Sequence, residues 1–340
     1  MTKRVALIKG DGVGPELVDS LLRVMGAIEH DVHFVECDAG HEWWRNNGGD
    51  SLIPTETWAR LRNSDACLKG PTTTPIEPGS PKSVAVSIRQ QLELYANVRP
   101  IRTFQCPTLG AQRNLDFVCV REGTEGFYSG LDSELEADQS AISIRKITRS
   151  GVQRVARYAF SLAMERGWTR VCSVNKGNIL KESDGLYNRV VQEVSRSFPK
   201  IKVENYLVDN MAQQLVKNPE IFNQCIILGT NLFMDIISEE ASGHIGSIGM
   251  VYSGNFGDRY AMFEPAHDSA PHYKGSGRPN PTATILSGAL MLDYLGDRKA
   301  YEMVLRAVQE VIAEGKYVTR DLGGTATTSE MTTAIAERLS

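Results

Sequence analysis

The sequence predicts an α/β protein whose sheet is mostly parallel. Short apolar runs alternate with longer amphipathic segments along the whole chain, which is the pattern of βαβ units. The length of 340 residues corresponds to about two domains. The hydrophobic fraction of 41% and the charged fraction of 23% are those of an ordinary globular protein, so each domain can bury a core.

The individual elements follow from hydrophobic periodicity. Strands are predicted for short apolar runs at residues 5–8, 32–35, 66–68, 117–120, 170–174, 202–207 and 225–228. Helices are predicted for the segment after Pro15 and for residues 152–165, 185–196, 281–295 and 299–314. Residues 129–143 interrupt the alternation, because they are rich in Asp, Glu and Ser. Their composition favours a solvated loop over a protruding arm.

Charge and composition exclude several classes of partner. The net charge is −4 and the chain has no basic block, so nucleic acid is not an expected partner. No apolar run approaches the ~20 residues that a membrane helix needs, and no apolar signal segment opens the chain. The six cysteines are scattered without a C-x-x-C pair, which predicts reduced, mostly buried thiols and a cytoplasmic protein.

A glycine loop at residues 10–14 follows the first strand and precedes a helix. A dinucleotide-binding Rossmann motif would need the spacing G-x-G-x-x-G and an acid at the end of the next strand. Here Pro15 follows the third glycine, and no acid stands in the required context. Proline suits the first turn of a helix. The loop therefore predicts a helix start without the standard Rossmann fingerprint.

Three acids are candidate metal ligands. Asp235 and Glu239 lie four residues apart in a helical run, so both carboxylates share one helix face. Asp209 opens another helical run. Mg²⁺ prefers carboxylate oxygens, substrate and water. Taken alone this spacing is more often a solvated helix face, and other motifs must support a metal site.

Seven motifs supply that support, because they occur in a fixed order. They are GDGVGPE at 10–16, ANVRP at 96–100, REGTEGFYSG at 121–130, NLFMDIISE at 231–239, EPAH at 264–267, NPTATILS at 280–287 and DLGGT at 321–325. The chain resembles the isocitrate/3-isopropylmalate dehydrogenase family of β-decarboxylating dehydrogenases over essentially its whole length, closer to isocitrate dehydrogenase. The resemblance implies two α/β domains around a central cleft. Residues 1–97 plus 247–340 would form a large cofactor-binding domain, and 98–246 a small dimerisation domain with an arm near 129–145.

The resemblance assigns substrate and catalytic roles. Arg89, Arg99 and Arg121 match the substrate arginines of the family. A single arginine is usually a surface ion pair, but three guanidinium groups suit a polycarboxylate. Tyr128 matches the catalytic tyrosine and Lys176 the catalytic lysine. From the sequence alone these two are a loop aromatic and a solvated lysine.

The resemblance also implies a divalent metal and a homodimer. Mg²⁺ or Mn²⁺ would be held by Asp209, Asp235 and Glu239, although the family usually has Asp at position 239. Lys176 and Asp209 would reach the active site of the partner subunit, so the two sites of a homodimer are shared. Lys176, helped by Asp209, would take the substrate hydroxyl proton, and Tyr128 would protonate the enolate that remains after loss of CO₂.

The implied cofactor is NADP or NAD. The matching positions are Thr74, His267, Ser269, Ala270, His272, Tyr273 and Asn280. NAD-dependent members usually have Asp at position 272, whereas the run His272-Tyr273-Lys274 gives a slight preference for NADP. Asp268 replaces the usual glycine and would repel the cofactor phosphates unless it turns away or pairs with Lys274.

The predicted reaction is the metal-dependent oxidative decarboxylation of a 2-hydroxy polycarboxylic acid, first of all isocitrate to 2-oxoglutarate. Ser83 matches the serine that isocitrate enzymes present to substrate, whereas Ala85 replaces their asparagine. Homoisocitrate, isopropylmalate, tartrate, D-malate or a phosphonate analogue of isocitrate remain alternatives.

Two hypotheses come from other classes. The departures at Ala85, Glu239, Asp268 and His272 would fit a non-catalytic regulatory subunit of a hetero-oligomeric dehydrogenase. Retention of the arginines, the tyrosine, the lysine and the two aspartates argues against it. A carbohydrate- or nucleotide-binding α/β module without chemistry is the other alternative.

Overall fold

The computed structural model describes residues 2–77 and 79–339 and confirms the predicted α/β fold. The chain divides into two compact units. Unit 1 comprises Met1–Ile88, Thr103–Arg113 and Ser242–Ser340, and unit 2 comprises Arg89–Arg102 and Asn114–Ala241. Each unit has its own strands, helices and buried core.

The strands and helices are numbered in chain order. The strands are β1 Lys3–Ile8, β2 Val32–Cys37, β3 Ala66–Lys69, β4 Ala96–Arg102, β5 Asp116–Glu122, β6 Asp132–Glu136, β7 Ser140–Ser143, β8 Arg170–Asn175, β9 Lys202–Leu207, β10 Cys225–Gly229, β11 Tyr252–Phe256 and β12 Ala261–Pro265. The helices are α1 Gly14–Met25, α2 His41–Asn47, α3 Thr55–Arg62, α4 Val84–Gln91, α5 Arg149–Glu165, α6 Ser183–Ser195, α7 Val208–Lys217, α8 Asn231–Ser242, α9 Thr282–Tyr294, α10 Arg298–Glu314 and α11 Thr328–Glu337.

In unit 1 five strands follow the order β2-β1-β3-β12-β11. β1 is parallel to β2 and β3, β3 is parallel to β12, and β11 is antiparallel to β12. α9 packs on β3, β11 and β12 and is apolar all round, as expected for a buried helix. α1 begins with Pro15 in its first turn and buries Leu17, Leu21 and Met25. The predicted helix start at this proline is confirmed.

In unit 2 five strands follow the order β4-β5-β10-β8-β9. β4 is antiparallel to β5, and the other neighbours are parallel. α5 packs against β5 and β10, and α6 packs against α5 and β8. The strand residues Val118, Val120 and Ile226 are fully buried, which explains why these strands read as continuous apolar runs.

The seven predicted strands and five predicted helices are confirmed, whereas β4, β11, β12 and several short helices were not predicted. β4 carries Asn97, Arg99 and Pro100 among its apolar residues, so no apolar run marks it. The polar stretch forms an exposed antiparallel hairpin of β6 and β7, where composition had favoured a loop. Leu135 and Ile142 lie on this hairpin and are exposed.

The predicted burial of the cysteines is also confirmed. All six cysteines are buried and free of disulfide bonds. Cys172 and Cys225 lie closest to one another, with their sulfur atoms 3.2 Å apart. Among the described residues, no helix is both long and apolar enough to cross a membrane.

Candidate active site

Unit 2 gathers arginines around the carboxylate of Asp235. Arg121 contacts Oδ1 through Nη1, and Arg99 Nη2 lies 3.3 Å from the same oxygen. The hydroxyl of Tyr128 donates to Oδ2 at 2.5 Å. Arg99 also reaches Oε1 of Glu239 at 3.1 Å. The predicted common face of Asp235 and Glu239 is therefore confirmed, since one arginine contacts both.

Strand geometry brings the two arginines together. Asn97 of β4 pairs with Arg121 of β5, and directly opposite residues point to the same face of a sheet. Arg99 lies two residues beyond Asn97, so it shares that face, and its Nε donates to Asn97 Oδ1 at 3.0 Å. Asn231, one turn before Asp235, accepts from Arg121 at 2.7 and 2.9 Å. Each guanidinium is thus held by neutral amides as well as by carboxylates.

The electrostatics of this cluster favour an additional anion. Burial, together with the charges of Arg89 and Arg99, lowers the pKa of Arg121 to about 10. Arg89 is itself buried, at the end of α4. Burial alone would raise the pKa of Asp235, but Arg121 and Arg99 outweigh it and hold that pKa below its usual value. Three buried cations thus lie around Asp235, and one of them also contacts Glu239.

Tyr128 lies over the same cluster. The guanidinium of Arg121 stacks on its ring with 4.9 Å between the carbon Cζ and the ring centre. Burial and the hydrogen bond to Asp235 raise the pKa of the phenol. The backbone carbonyl of Tyr128 accepts from Gln90 at 2.8 Å, which fixes the short turn that carries it. The phenol is therefore neutral at physiological pH and can donate a proton.

Lys176 and Asp209 form a separate pair in unit 2. The Lys176 ammonium lies 2.8 Å from Asp209 Oδ1, and this ion pair lowers the pKa of Asp209. Asp209 stands in the first turn of α7, as predicted, and its side chain is exposed. The backbone N–H of Lys176 donates to the fully buried Asp184 at 2.6 Å, and Asp184 also binds Arg145 at 2.6 Å. The backbone of Lys176 is therefore held by a buried carboxylate, and its side chain is paired with Asp209.

The predicted metal ligands do not all lie together. Among the described residues, no group of three or more His, Cys, Asp or Glu side chains lies close enough to hold an ion. Asp235 and Glu239 supply two carboxylates, and both are partly accessible to solvent. Hard oxygen donors of this kind fit Mg²⁺ or Mn²⁺. The chain thus offers two of the three predicted ligands in one place, and Asp209 lies elsewhere, beside Lys176.

The cofactor residues predicted from the resemblance lie in unit 1, around the glycine loop. The carbonyl of Ser269 accepts from Val13 N at 2.9 Å, and its hydroxyl is 2.7 Å from Thr73 Oγ1, beside the exposed Thr74. A Cβ on Gly12 would lie only 2.1 Å from the Ser269 carbonyl oxygen. Gly12 is therefore required for this close approach of two backbone segments.

The segment after Ser269 forms a tight turn. Ala270 has a φ of 37°, a left-handed conformation, and the ring centres of His272 and Tyr273 lie 4.6 Å apart with the rings tilted by 49°. Asn280, at the end of the segment, is buried and donates to Asp321 at 2.9 Å. These side chains present two neighbouring rings and an amide along one stretch of chain.

The other residues of unit 1 named from the sequence are His267, Asp268, Lys274 and Ser83. Burial lowers the pKa of His267, so this ring is neutral at physiological pH. Asp268 is exposed, which is one of the two arrangements expected for it. Lys274 pairs with Glu42 at 2.6 Å rather than with Asp268. Ser83 stands just before α4, and its carbonyl accepts from Ser87 N at 2.9 Å.

Sequence reasoning missed Asn231, Asp184, Arg145 and Glu42. Asn231 lies within a quoted motif, and its position one turn before Asp235 could have indicated a shared helix face. Asp184 opens α6 and could have been taken for a helix-start residue. Arg145 and Glu42 carry no local signal, because their partners are far away in the sequence.

Comparison with known proteins agrees with this geometry. The family profile described as isocitrate/isopropylmalate dehydrogenase matches residues 4–335. An isocitrate/homoisocitrate dehydrogenase of Thermus thermophilus is 40% identical over 100% of this chain and 99% of its own. A 3-isopropylmalate/3-methylmalate dehydrogenase of Methanocaldococcus jannaschii is 36% identical over 99% of this chain and 98% of its own. The crystal structure of isocitrate dehydrogenase from Methylococcus capsulatus superposes with a TM-score of 0.94, at 38% identity and 99% coverage of both chains. The chain therefore belongs to the isocitrate/isopropylmalate dehydrogenase family of decarboxylating dehydrogenases.

Proposed function

We propose that this protein catalyses the metal-dependent oxidative decarboxylation of a 2-hydroxy polycarboxylic acid, most specifically of isocitrate to 2-oxoglutarate. The observation that carries the proposal is the cluster of Arg89, Arg99 and Arg121 around Asp235. Buried guanidinium groups that repel one another are stabilised by an anion with several carboxylates. A polycarboxylate substrate meets that requirement.

Tyr128 and Lys176 supply the proton transfers in this proposal. In its neutral amine form Lys176, with Asp209 beside it, would accept the substrate hydroxyl proton, and bound nicotinamide would supply the acceptor for the hydride that leaves the substrate carbon. The product of that step is a 2-oxo acid with a carboxylate β to the ketone, and loss of CO₂ leaves an enolate. Tyr128 then donates its phenolic proton to the enolate carbon, consistent with the raised pKa of its hydroxyl.

The metal is proposed to bind to Asp235 and Glu239, with Asp209 supplied by a second copy of the chain. Bound there, Mg²⁺ or Mn²⁺ would act as a Lewis acid toward the oxygen atoms of the substrate. The separation of Asp209 and Lys176 from the arginine cluster supports a homodimer with shared sites, because the cluster needs a ligand and a base from elsewhere. Two-fold symmetry then gives two equivalent sites.

The nicotinamide cofactor is proposed to bind to unit 1. Thr74, His267, Ser269, Ala270, His272, Tyr273 and Asn280 are the proposed contacts. The adjacent rings of His272 and Tyr273 and the buried amide of Asn280 suit an adenosine group, which needs an apolar face and directional hydrogen bonds. NADP and NAD both contain this adenosine group.

A substrate panel tests the proposal. The purified chain, with Mg²⁺ or Mn²⁺, would be given isocitrate, homoisocitrate, isopropylmalate, tartrate, D-malate and a phosphonate analogue of isocitrate, each with NAD and with NADP. We expect isocitrate to yield both reduced cofactor and CO₂ with the highest kcat/KM. A different best substrate would correct the specificity alone.

Two other outcomes would overturn more than the specificity. Reduced cofactor without CO₂ would remove decarboxylation from the proposal. Absence of turnover with every acid, in a protein that still binds metal and substrate, would favour a non-catalytic regulatory subunit. Arg121→Gln serves as the matched control, because it should raise KM for each polycarboxylate if the arginine cluster binds substrate.

A further inference from the structure

The side chain of Glu42 is held rigidly at the glycine loop. The buried carboxylate of Asp11 accepts the N–H groups of His41 at 2.9 Å and of Glu42 at 2.8 Å, which open α2. The same carboxylate accepts from Thr73 N at 2.8 Å. Glu42 in turn accepts from the backbone N–H of Gly12 at 3.2 Å. Backbone and side chain of Glu42 are therefore both fixed to the loop.

Glu42 uses both of its oxygens to bind Lys274. The ammonium lies 2.8 Å from Oε1 and 2.6 Å from Oε2. This contact is the main reason that the pKa of Glu42 is lowered, so the carboxylate is ionised at neutral pH. Lys274 follows directly on His272 and Tyr273, and it is the sole Lys or Arg among residues 266–277. The pair thus neutralises the cation that this turn carries.

Carboxylates surround Lys274. It borders a groove of about 550 Å³ whose other charged walls are Glu16, Asp19 and Arg23, and Asp19 is itself paired with Lys9 at 2.8 Å. Asp268, at the start of the same turn, is exposed and adds a further acid. An anionic group placed at Lys274 is repelled by the carboxylate of Glu42, which contacts the ammonium directly.

We propose that Glu42 is a specificity-determining residue that disfavours the 2′-phosphate of NADP by holding the ammonium of Lys274, so that the protein uses NAD more efficiently. This inference rests on the proposed function, in which His272 and Tyr273 contact the adenosine. It reverses the slight preference for NADP that the run His272-Tyr273-Lys274 gave.

The two cofactors differ at one group. NADP carries a phosphate of nearly two negative charges where NAD has a neutral hydroxyl. A phosphate needs a free cation, whereas a hydroxyl accepts or donates to neutral groups and to carboxylates alike. The side chains of Glu42 and Lys274 are about half exposed, so the ammonium is within reach of a bound ligand, and a neutral residue at position 42 should leave it available to a phosphate.

Cofactor fragments test the inference without turnover. Binding of 5′-AMP and of 2′,5′-ADP would be measured by calorimetry for the wild type and for Glu42→Gln. We expect Glu42→Gln to bind 2′,5′-ADP more tightly by about tenfold at low salt, with 5′-AMP unchanged. Lys274→Gln, added to Glu42→Gln, should abolish that gain. Glu302→Gln is the matched control, since Glu302 pairs with Arg298 at 3.0 Å, is similarly exposed and lies on α10.

Kinetics provide the second readout. For Glu42→Gln, the ratio of kcat/KM with NADP to that with NAD should rise by about the same factor, through KM for NADP rather than through kcat. An unchanged ratio and unchanged fragment affinities would overturn the inference, as would an equal gain in Glu302→Gln. Failure of the wild type to turn over any acid, with the fragment result as expected, would instead refute the proposed function and leave the inference standing.

Discussion

Asp235→Asn is the most informative single substitution, because it keeps the shape of the side chain and removes its charge. The carboxylate holds three hydrogen bonds, from Arg99, Arg121 and Tyr128. A hydrogen bond to a charged group contributes about 1.5–3 kcal/mol and a neutral one about 0.5–1.5 kcal/mol. The difference over three bonds is about 3 kcal/mol, and partial exposure of Asp235 reduces it to roughly 2 kcal/mol.

This loss should appear as a lower Tm of the apo protein, by roughly 5 °C, without loss of the folded state. Calorimetric melting of both proteins measures it. The effect has a defined pH dependence, because the arginines hold the pKa of Asp235 below its usual value. The stabilisation is complete above the unfolded pKa near ~3.9 and is lost as pH falls through the lower folded pKa, so the two Tm values should converge only below pH ~3.9.

Glu239→Gln is the control for this experiment. Glu239 pairs with Arg99 at 3.1 Å, but its side chain is 45% exposed, and such an ion pair contributes about 0–1 kcal/mol. Both variants should weaken Mn²⁺ binding, measured by calorimetry, and Asp235→Asn should also abolish turnover. Equal Tm values for Asp235→Asn and wild type would refute the electrostatic reasoning. Full activity of Asp235→Asn in the presence of a chelator would refute the metal site.

Three further predictions concern the proton-transfer groups. Tyr128→Phe should lower kcat for decarboxylation by about a hundredfold with little change in KM, measured by release of CO₂; an unchanged kcat would exclude the proposed proton donor. Asp184→Asn should lower kcat more than it changes KM, because the Asp184 carboxylate holds the backbone of Lys176; an unchanged kcat would show that the contact is purely structural. Mixing Lys176→Met chains with Tyr128→Phe chains should restore up to one intact site per heterodimer, and no recovery after verified subunit exchange would argue for sites built within one chain.

The parts of the fold that sequence could predict are those with a local signal. Strands such as β5 and β10 are buried on both faces and are therefore continuous apolar runs. β4 was missed because its inward face carries Asn97 and Arg99, which serve the site rather than the core. Local periodicity reports which face of an element is apolar, and a strand that carries functional polar residues departs from that rule.

For the candidate site, sequence indicates some shared faces but not the long-range contacts. The shared face of Asp235 and Glu239 follows from helix geometry, because residues four positions apart lie on the same face of a helix. The sequence left two alternatives for Asp268, to turn away or to pair with its near neighbour Lys274. The partner of Lys274 is Glu42, which is 232 residues away, because folding and not chain proximity brings the two together. Long-range pairs of this kind leave no periodic trace in a single sequence.

The exposed β6–β7 hairpin affects how a single chain associates or aggregates. Within the described residues the β6–β7 sheet has two strands, so both of its outer edges present open backbone groups beside Leu135 and Ile142. Such edges adhere to other chains unless they are covered. If a second copy covers them, folding and association become one equilibrium, and the melting temperature should rise with protein concentration. In that case the hairpin is covered in the dimer, whereas in a newly made single chain it is the segment through which the chain aggregates.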